Sequence, residues 1–156
     1  AHSSYQYGYI KEEVQDYILD KLELLINSQV IKGTFENGME YTIIATVLNM
    51  KKEIVRMIQN FDFTKSNPKI IYILTSEDIL SREDAIVTAF LNLVGYDIIM
   101  FVPTGYESEG RFYNSQIMER HEAGEYKYDL RAPDVSQFVP YTDRQTFFDK
   151  IFKRGR

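Results

Sequence analysis

Two short stretches gather most of the side chains in this sequence that could handle a ligand. Thr75, Ser76, Glu77 and Asp78 run together, with Arg82 just beyond them. Pro103, Thr104, Gly105 and Tyr106 make the second stretch. The hydroxyls of Thr75, Ser76 and Thr104 suit an oxyanion or a sugar, and Gly105 lets the backbone approach a ligand closely. Arg82 is the type of side chain that clamps a phosphate or carboxylate. Glu77 and Asp78 are candidate proton carriers or metal carboxylates. His121, set among Glu119, Glu122 and Glu125, is a third candidate for moving a proton. A plainer reading stands beside each of these: Ser81 caps a helix, Thr104 and Gly105 make a turn, the acids are solvated, and His121 is a surface hydrogen-bonding group.

Several chemistries are disfavoured by what these stretches lack. Gly105 and Gly110 stand apart, with no GxGxxG and no glycine-rich run ending in GK[ST], so neither a nicotinamide nor a P-loop nucleotide signature is present. No spacing of Ser, His and Asp signals a nucleophile elbow. The chain has no Cys, which removes thiol catalysis, disulfides and thiolate metal sites. Outside the amino end only one His remains, and its local spacing is no zinc signature, so no metal ligands are assigned. The residues name no cofactor.

The elements that must position these stretches are clearer than the chemistry. Apolar runs at residues 69–74 and 97–102, rich in Ile, Val, Tyr and Phe, flank a helical pattern over residues 82–94. That is the pattern of a β-α-β unit with parallel strands, which are covered on both faces and need not alternate. Both candidate stretches would then trail from the carboxyl ends of those strands, where ligand crevices form in open α/β sheets. Ser81 followed by Asp84 is a variant capping box, and Gly95 suits a left-handed helix stop.

Ahead of this unit, Val14, Tyr17, Ile18, Lys21, Leu22, Leu25 and Ile26 recur at helical spacing, predicting an amphipathic helix over residues 10–28. Turn signals at Gly33 and at Asn37-Gly38 follow it. A second long helix is expected over residues 40–61; its β-branched start would also allow a strand, and the continued helical period decides for helix. Residues 1–9 read as a flexible lead. Beyond Tyr106 the expectations are a short helix over 112–120, an added strand over 125–130 with Tyr126, Tyr128 and Asp129 as pocket-lining candidates, a brief edge or a packed loop over 134–140, and a last helix over 145–152 presenting Phe147, Phe148, Ile151 and Phe152.

With 156 residues, 44% hydrophobic and 26% charged, the chain is long enough for one domain with a sizeable core. A net charge of -5 argues against a broad nucleic-acid footprint. No apolar run approaches the roughly 20 residues needed to cross a bilayer. Together with the absence of Cys, this points to a cytoplasmic location and no membrane partner. The start, Ala1-His2-Ser3-Ser4, lacks an initiator Met and reads as an engineered or processed end of a longer protein.

The segments 95–106, 121–126 and 148–155 resemble the bacterial YceG-like family, over about residues 70–155, with Pro103 to Tyr106 the most specific piece. That family is associated with tellurite-resistance and stress-response operons and is described as a component of a biosynthetic module. Its members are longer, so the resemblance implies the carboxyl-terminal portion of such a protein. Its neighbours handle nucleotides and phosphoribosyl compounds, which implies a small metabolite as ligand. No catalytic residue carries over; only Pro103, Thr104, Gly105 and Tyr106 do, as motif positions.

The combined expectation is a three-layer α/β domain over residues 10–156, with a short, mainly parallel sheet and two long amino-terminal helices. Its expected ligand is a small anionic metabolite or nucleotide held by Thr75, Ser76, Arg82, Pro103, Thr104, Gly105 and Tyr106. Glu77, Asp78 or His121 would carry protons. The alternative is a noncatalytic module that assembles with other parts of the longer protein or with operon-encoded proteins.

Overall fold

The computed structural model describes residues 7–62, 64, 67–75, 80–106, 109–114 and 118–128. Within them the chain runs α1 (Glu12–Asn27), α2 (Met39–Leu48), α3 (Lys52–Asn60), β1 (Lys69–Ile73), α4 (Arg82–Val94), β2 (Asp97–Phe101) and a 3-10 turn at Glu109–Arg111. Ser76, Glu77, Asp78 and Asp129, the expected edge or packed loop over 134–140 and the expected last helix over 145–152 all lie outside the described residues.

The strands pair in parallel as direct neighbours, with Lys69 opposite Asp97 and Ile73 opposite Phe101. Their right to do so rests on α4, which crosses between them as the β-α-β pattern requires. The backbone of Ser81 is extended, and its Oγ accepts the Asp84 N–H at 3.0 Å, satisfying one of the helix's orphan donors. At the other end Gly95 takes φ +120°, and the Tyr96 N–H reaches back to the Leu91 carbonyl at 3.0 Å. A side chain at Gly95 would be strained in that conformation.

α4 also organises the core. Ala85, Ile86, Ala89, Phe90, Leu91 and Val94 are buried, and the helix touches α1, α2 and β2. Ile18, Leu22 and Leu25 of α1, Ile43 and Val47 of α2, and Val55 and Ile58 of α3 belong to the same cluster, with Ile70, Ile98 and Met100 packed against it from the sheet.

The second long helix expected from the sequence is two helices. Residues 49–51 interrupt the period, and the interruption has a visible cause. In an unbroken helix the Met50 N–H would bond to the Thr46 carbonyl and the Val47 carbonyl would accept from Lys51. Instead the Tyr7 hydroxyl accepts from the Met50 N–H at 3.1 Å and donates to the Val47 carbonyl. Asn49 adds a side-chain bond to the Ala45 carbonyl at 2.7 Å. Tyr7 is therefore a core residue although it stands in the segment expected to be a flexible lead.

Two later expectations also change. Tyr113 does not lie in a helix: it makes an isolated antiparallel bridge with Ile31, flanked by Lys32 N–H to Phe112 O at 2.8 Å and Asn114 N–H to Val30 O at 3.1 Å. Its buried hydroxyl donates to the Ala85 carbonyl at 2.9 Å, which ties the segment to α4 and outweighs the weak helical pattern. The described residues of the expected strand over 125–130 form no strand; the Lys127 N–H goes to the Pro103 carbonyl at 2.8 Å instead.

Two measurements check this packing. Tyr7→Phe removes a hydroxyl that serves two buried backbone groups, so it should lose about 1–3 kcal/mol in urea unfolding, whereas Tyr9→Phe, at an exposed ring, should stay within about 0.5 kcal/mol of the parent. Burial raises the Tyr17 hydroxyl above its ordinary pKa of 10.0, and burial, with the Tyr17 charge second, raises Tyr96. The unfolded tyrosines ionise first, so these two groups contribute stability that is constant below about pH 10 and is lost as pH rises toward their folded values. Tyr17→Phe, which also loses the bond to the Val94 carbonyl, should be less stable at neutral pH yet show a shallower alkaline decline.

Candidate functional site

Because β1 and β2 are parallel neighbours, the segments that leave their carboxyl ends emerge on one rim. The pairing runs one residue past the strands, with the Leu74 N–H donating to the Phe101 carbonyl at 2.8 Å. Thr75, half-buried, opens the first segment; residues 102–106 form the second. Two of the sequence candidates, Thr75 and the 103–106 motif, are thus delivered to the same end of the sheet.

The 103–106 motif is a tight turn held from inside. The Gly105 N–H donates to the Val102 carbonyl at 3.0 Å, and the buried Thr104 Oγ1 accepts the Tyr106 N–H at 3.2 Å. Gly105 takes φ +68°, and a Cβ built there would stand 2.3 Å from Cε1 of Tyr126. Only glycine therefore lets the Tyr126 ring approach this backbone. Together with the bond from Lys127 to Pro103, this contact straps residues 126–127 across the turn.

Tyr106 carries a second partner that the sequence pattern does not single out. The Arg111 guanidinium stands over its ring, 5.5 Å from the centroid, and donates to its hydroxyl. Both side chains are exposed. No motif spacing connects them, because the 3-10 turn that returns Arg111 to Tyr106 has no sequence signature. An arginine on an aromatic face is a platform suited to planar or anionic groups.

Arg82 is the first residue of α4 and is exposed. It is followed at once by Glu83 and Asp84, and the Asp84 N–H is already taken by Ser81. An anion at this helix end would meet one guanidinium and the remaining amides, but also two carboxylates. Arg111 supplies a second cation beside Tyr106. His121 lies in exposed chain, its Nε2 3.2 Å from Glu119 Oε1, next to an Arg120–Glu122 pair at 2.6 Å. With His121 and Glu119 about four-fifths exposed, the pair is a surface contact of small energetic consequence.

These features define an α/β domain with a β-α-β unit and a strapped turn at the carboxyl end of its second strand. Residues 2–136 match the YceG domain, and the chain belongs to that family. It is similar to the protein "Uncharacterized protein YceG" of Bacillus subtilis (strain 168), with 23% identity over 141 residues. That alignment takes in 86% of this chain and 26% of the relative, so the chain spans about a quarter of the relative's length. No solved structure matches the chain. The family match extends through the amino-terminal helices, ahead of the region in which the resemblance is read, and stops short of residues 148–155.

The strap can be tested by amide exchange. Gly105→Ala places a methyl where Tyr126 sits and strains a left-handed backbone, so the Lys127 amide should exchange at least about tenfold faster, the equivalent of about 1.4 kcal/mol of local opening. The Leu74 amide, held by Phe101, should be unaffected. Equal acceleration at both would mean that the change loosens the whole sheet.

Proposed function

We propose that this domain binds a small anionic, nucleotide-like ligand on the rim where β1 and β2 end. What supports the reading is one observation: the two strands lie side by side and point the same way, so both trailing segments share that rim. Thr75 and Ser76 follow one strand and Pro103, Thr104, Gly105 and Tyr106 the other. Arg82 and Arg111 are the cations that would meet the negative charge, and Tyr106 the flat surface for a base or sugar. Thr104, buried with its hydroxyl engaged inside the turn, shapes the site rather than touching the ligand. Should the domain catalyse a reaction, Glu77 and Asp78, four and five residues after β1 in sequence, or His121, exposed beside Glu119, would carry the proton. By the family resemblance, this binding would serve a cytoplasmic biosynthetic system linked to stress and tellurite resistance, as part of a longer protein.

A second reading, a noncatalytic module that assembles a complex, draws on a different observation. Leu19 and Leu24 are exposed on α1, away from the rim residues in the chain. The two readings part on small-molecule binding. A thermal-shift screen of nucleotides, phosphosugars and divalent metals should find a compound that, at 100 times its dissociation constant, stabilises the domain by about 2.7 kcal/mol. For a chain of this size that is a rise of about 5–10 °C. Arg82→Ala and Arg111→Ala should each cut the rise by more than half without lowering the unliganded Tm by more than a degree or two. A rise that both variants retain in full, or none from any compound in this chain and in the longer relative, removes the rim as a ligand site and leaves the assembly reading.

A further inference from the structure

Lys32 grips the backbone on both sides of Arg111. Its N–H donates to the Phe112 carbonyl at 2.8 Å, and its Nζ donates to the Gly110 carbonyl at 2.5 Å. Each partner in this contact is anchored in the core. Ile31 and Thr34, on either side of Lys32 in the chain, are buried, and the Thr34 hydroxyl donates to the Ile31 carbonyl at 2.6 Å. Tyr113 is buried opposite Ile31, with its hydroxyl on the Ala85 carbonyl. Arg111 itself is exposed, yet its guanidinium is held at the Tyr106 ring and bonded to the Tyr106 hydroxyl. A cation–π contact at an exposed site is worth less than the rotamer freedom an arginine gives up. The stack therefore needs a backbone that starts the side chain in the right place.

We infer that Lys32 is a positioning residue for the rim: it holds the turn at Glu109–Arg111 so that Arg111 lies over Tyr106 before any ligand arrives. The inference rests on the reading of Tyr106 and Arg111 as the surface that takes a nucleotide-like anion, and adds the residue that sets their geometry. An arginine ordered in advance spares a ligand the entropy of ordering it. A guanidinium also recognises planar or anionic groups through a fixed fork of donors, so its orientation matters as much as its charge. The Lys32 ammonium is itself engaged by a carbonyl, and its part is to place the Arg111 charge rather than to touch the ligand. No sequence spacing signals this role, since Lys32 stands 78 positions before the glycine it holds.

Nitrogen-15 relaxation of the Arg111 Nε–H tests this with no ligand present, so a failed compound screen and a failed inference are told apart. In the parent chain the Arg111 order parameter should exceed that of Arg56, exposed on α3, by at least about 0.2. Lys32→Met keeps the backbone N–H and the aliphatic stem but removes the ammonium, and should bring Arg111 down to the Arg56 level. Lys32→Arg can still donate to the Gly110 carbonyl and should restore at least half of the difference. Lys51→Met, the same loss of charge elsewhere on the surface, should leave Arg111 as ordered as in the parent. The Asn114 amide, bonded to the Val30 carbonyl, shows whether the bridge between Ile31 and Tyr113 survives, and its exchange should stay within about twofold of the parent. An Arg111 no more ordered than Arg56 in the parent, or fully ordered in Lys32→Met, overturns the inference. So does an Asn114 amide released in step with Arg111, which would make Lys32 a support of the bridge alone. Failure of Lys32→Arg to rescue, or an equal effect from Lys51→Met, overturns it as well.

Discussion

The burial of α4 on two sides is the constraint on which most of this structure depends. α1 and α2 pack on the helix, the sheet packs on it too, and its buried set from Ala85 to Val94 leaves only part of its circumference to water. Truncating a fully buried side chain such as Phe90 would cost about 3–5 kcal/mol, a large share of the roughly 5–15 kcal/mol that holds a domain together. Three tyrosine hydroxyls then fix the helix's position. Tyr17 of α1 donates to the Val94 carbonyl at 2.7 Å, Tyr113 to the Ala85 carbonyl at 2.9 Å, and Tyr72 of β1 accepts from the Thr88 hydroxyl at 3.0 Å. Each bond is worth only about 1 kcal/mol net, so they add little to the bulk stability. Their effect is directional: each joins a different element to a defined height on α4. The abundance of Tyr in this sequence thereby acquires a structural reason, since a ring can fill the core while its hydroxyl reaches a backbone carbonyl.

With α4 fixed, the rim is fixed. The helix must start where β1 has ended and stop where β2 begins, and a two-stranded sheet has no stability of its own to resist this. The parallel register and the shared rim therefore come from the helix more than from the strands' mutual hydrogen bonds. The Lys69–Asp97 pair at the opposite end is half-exposed and contributes little beyond alignment.

Legibility in the sequence tracks how local the determining interaction is. The bounds of α4 are written in Ser81, Asp84 and Gly95, all within one turn of its ends, and both strands announce themselves by β-branched content. The expected turn at Asn37-Gly38 is likewise local, both residues taking positive φ. What the sequence conceals depends on partners far away in the chain. The break between α2 and α3 is made by Tyr7, some forty residues earlier, replacing two helical hydrogen bonds with its hydroxyl. Tyr113 leaves a weak helical pattern because Ile31 and Ala85 hold it elsewhere. At the candidate site the same rule holds. Pro103 to Tyr106 stand out as a motif, but Arg111 becomes visible only once the chain has folded back onto Tyr106.

Tyr126 changes what the glycine in that motif does. A glycine at a strand end is commonly a place where a ligand can press against bare backbone, and Gly105 invites that reading. In the folded chain the space beside its missing Cβ is filled by the Tyr126 ring, at distances a methyl group could not share. A ligand could reach this backbone only by displacing the ring, and with it the Lys127 bond to Pro103. The exposed surface of the turn is instead Tyr106 with Arg111 beside it, while Thr104 is turned inward. The glycine thus belongs to the scaffold that presents Tyr106, with the Arg111 guanidinium beside its ring.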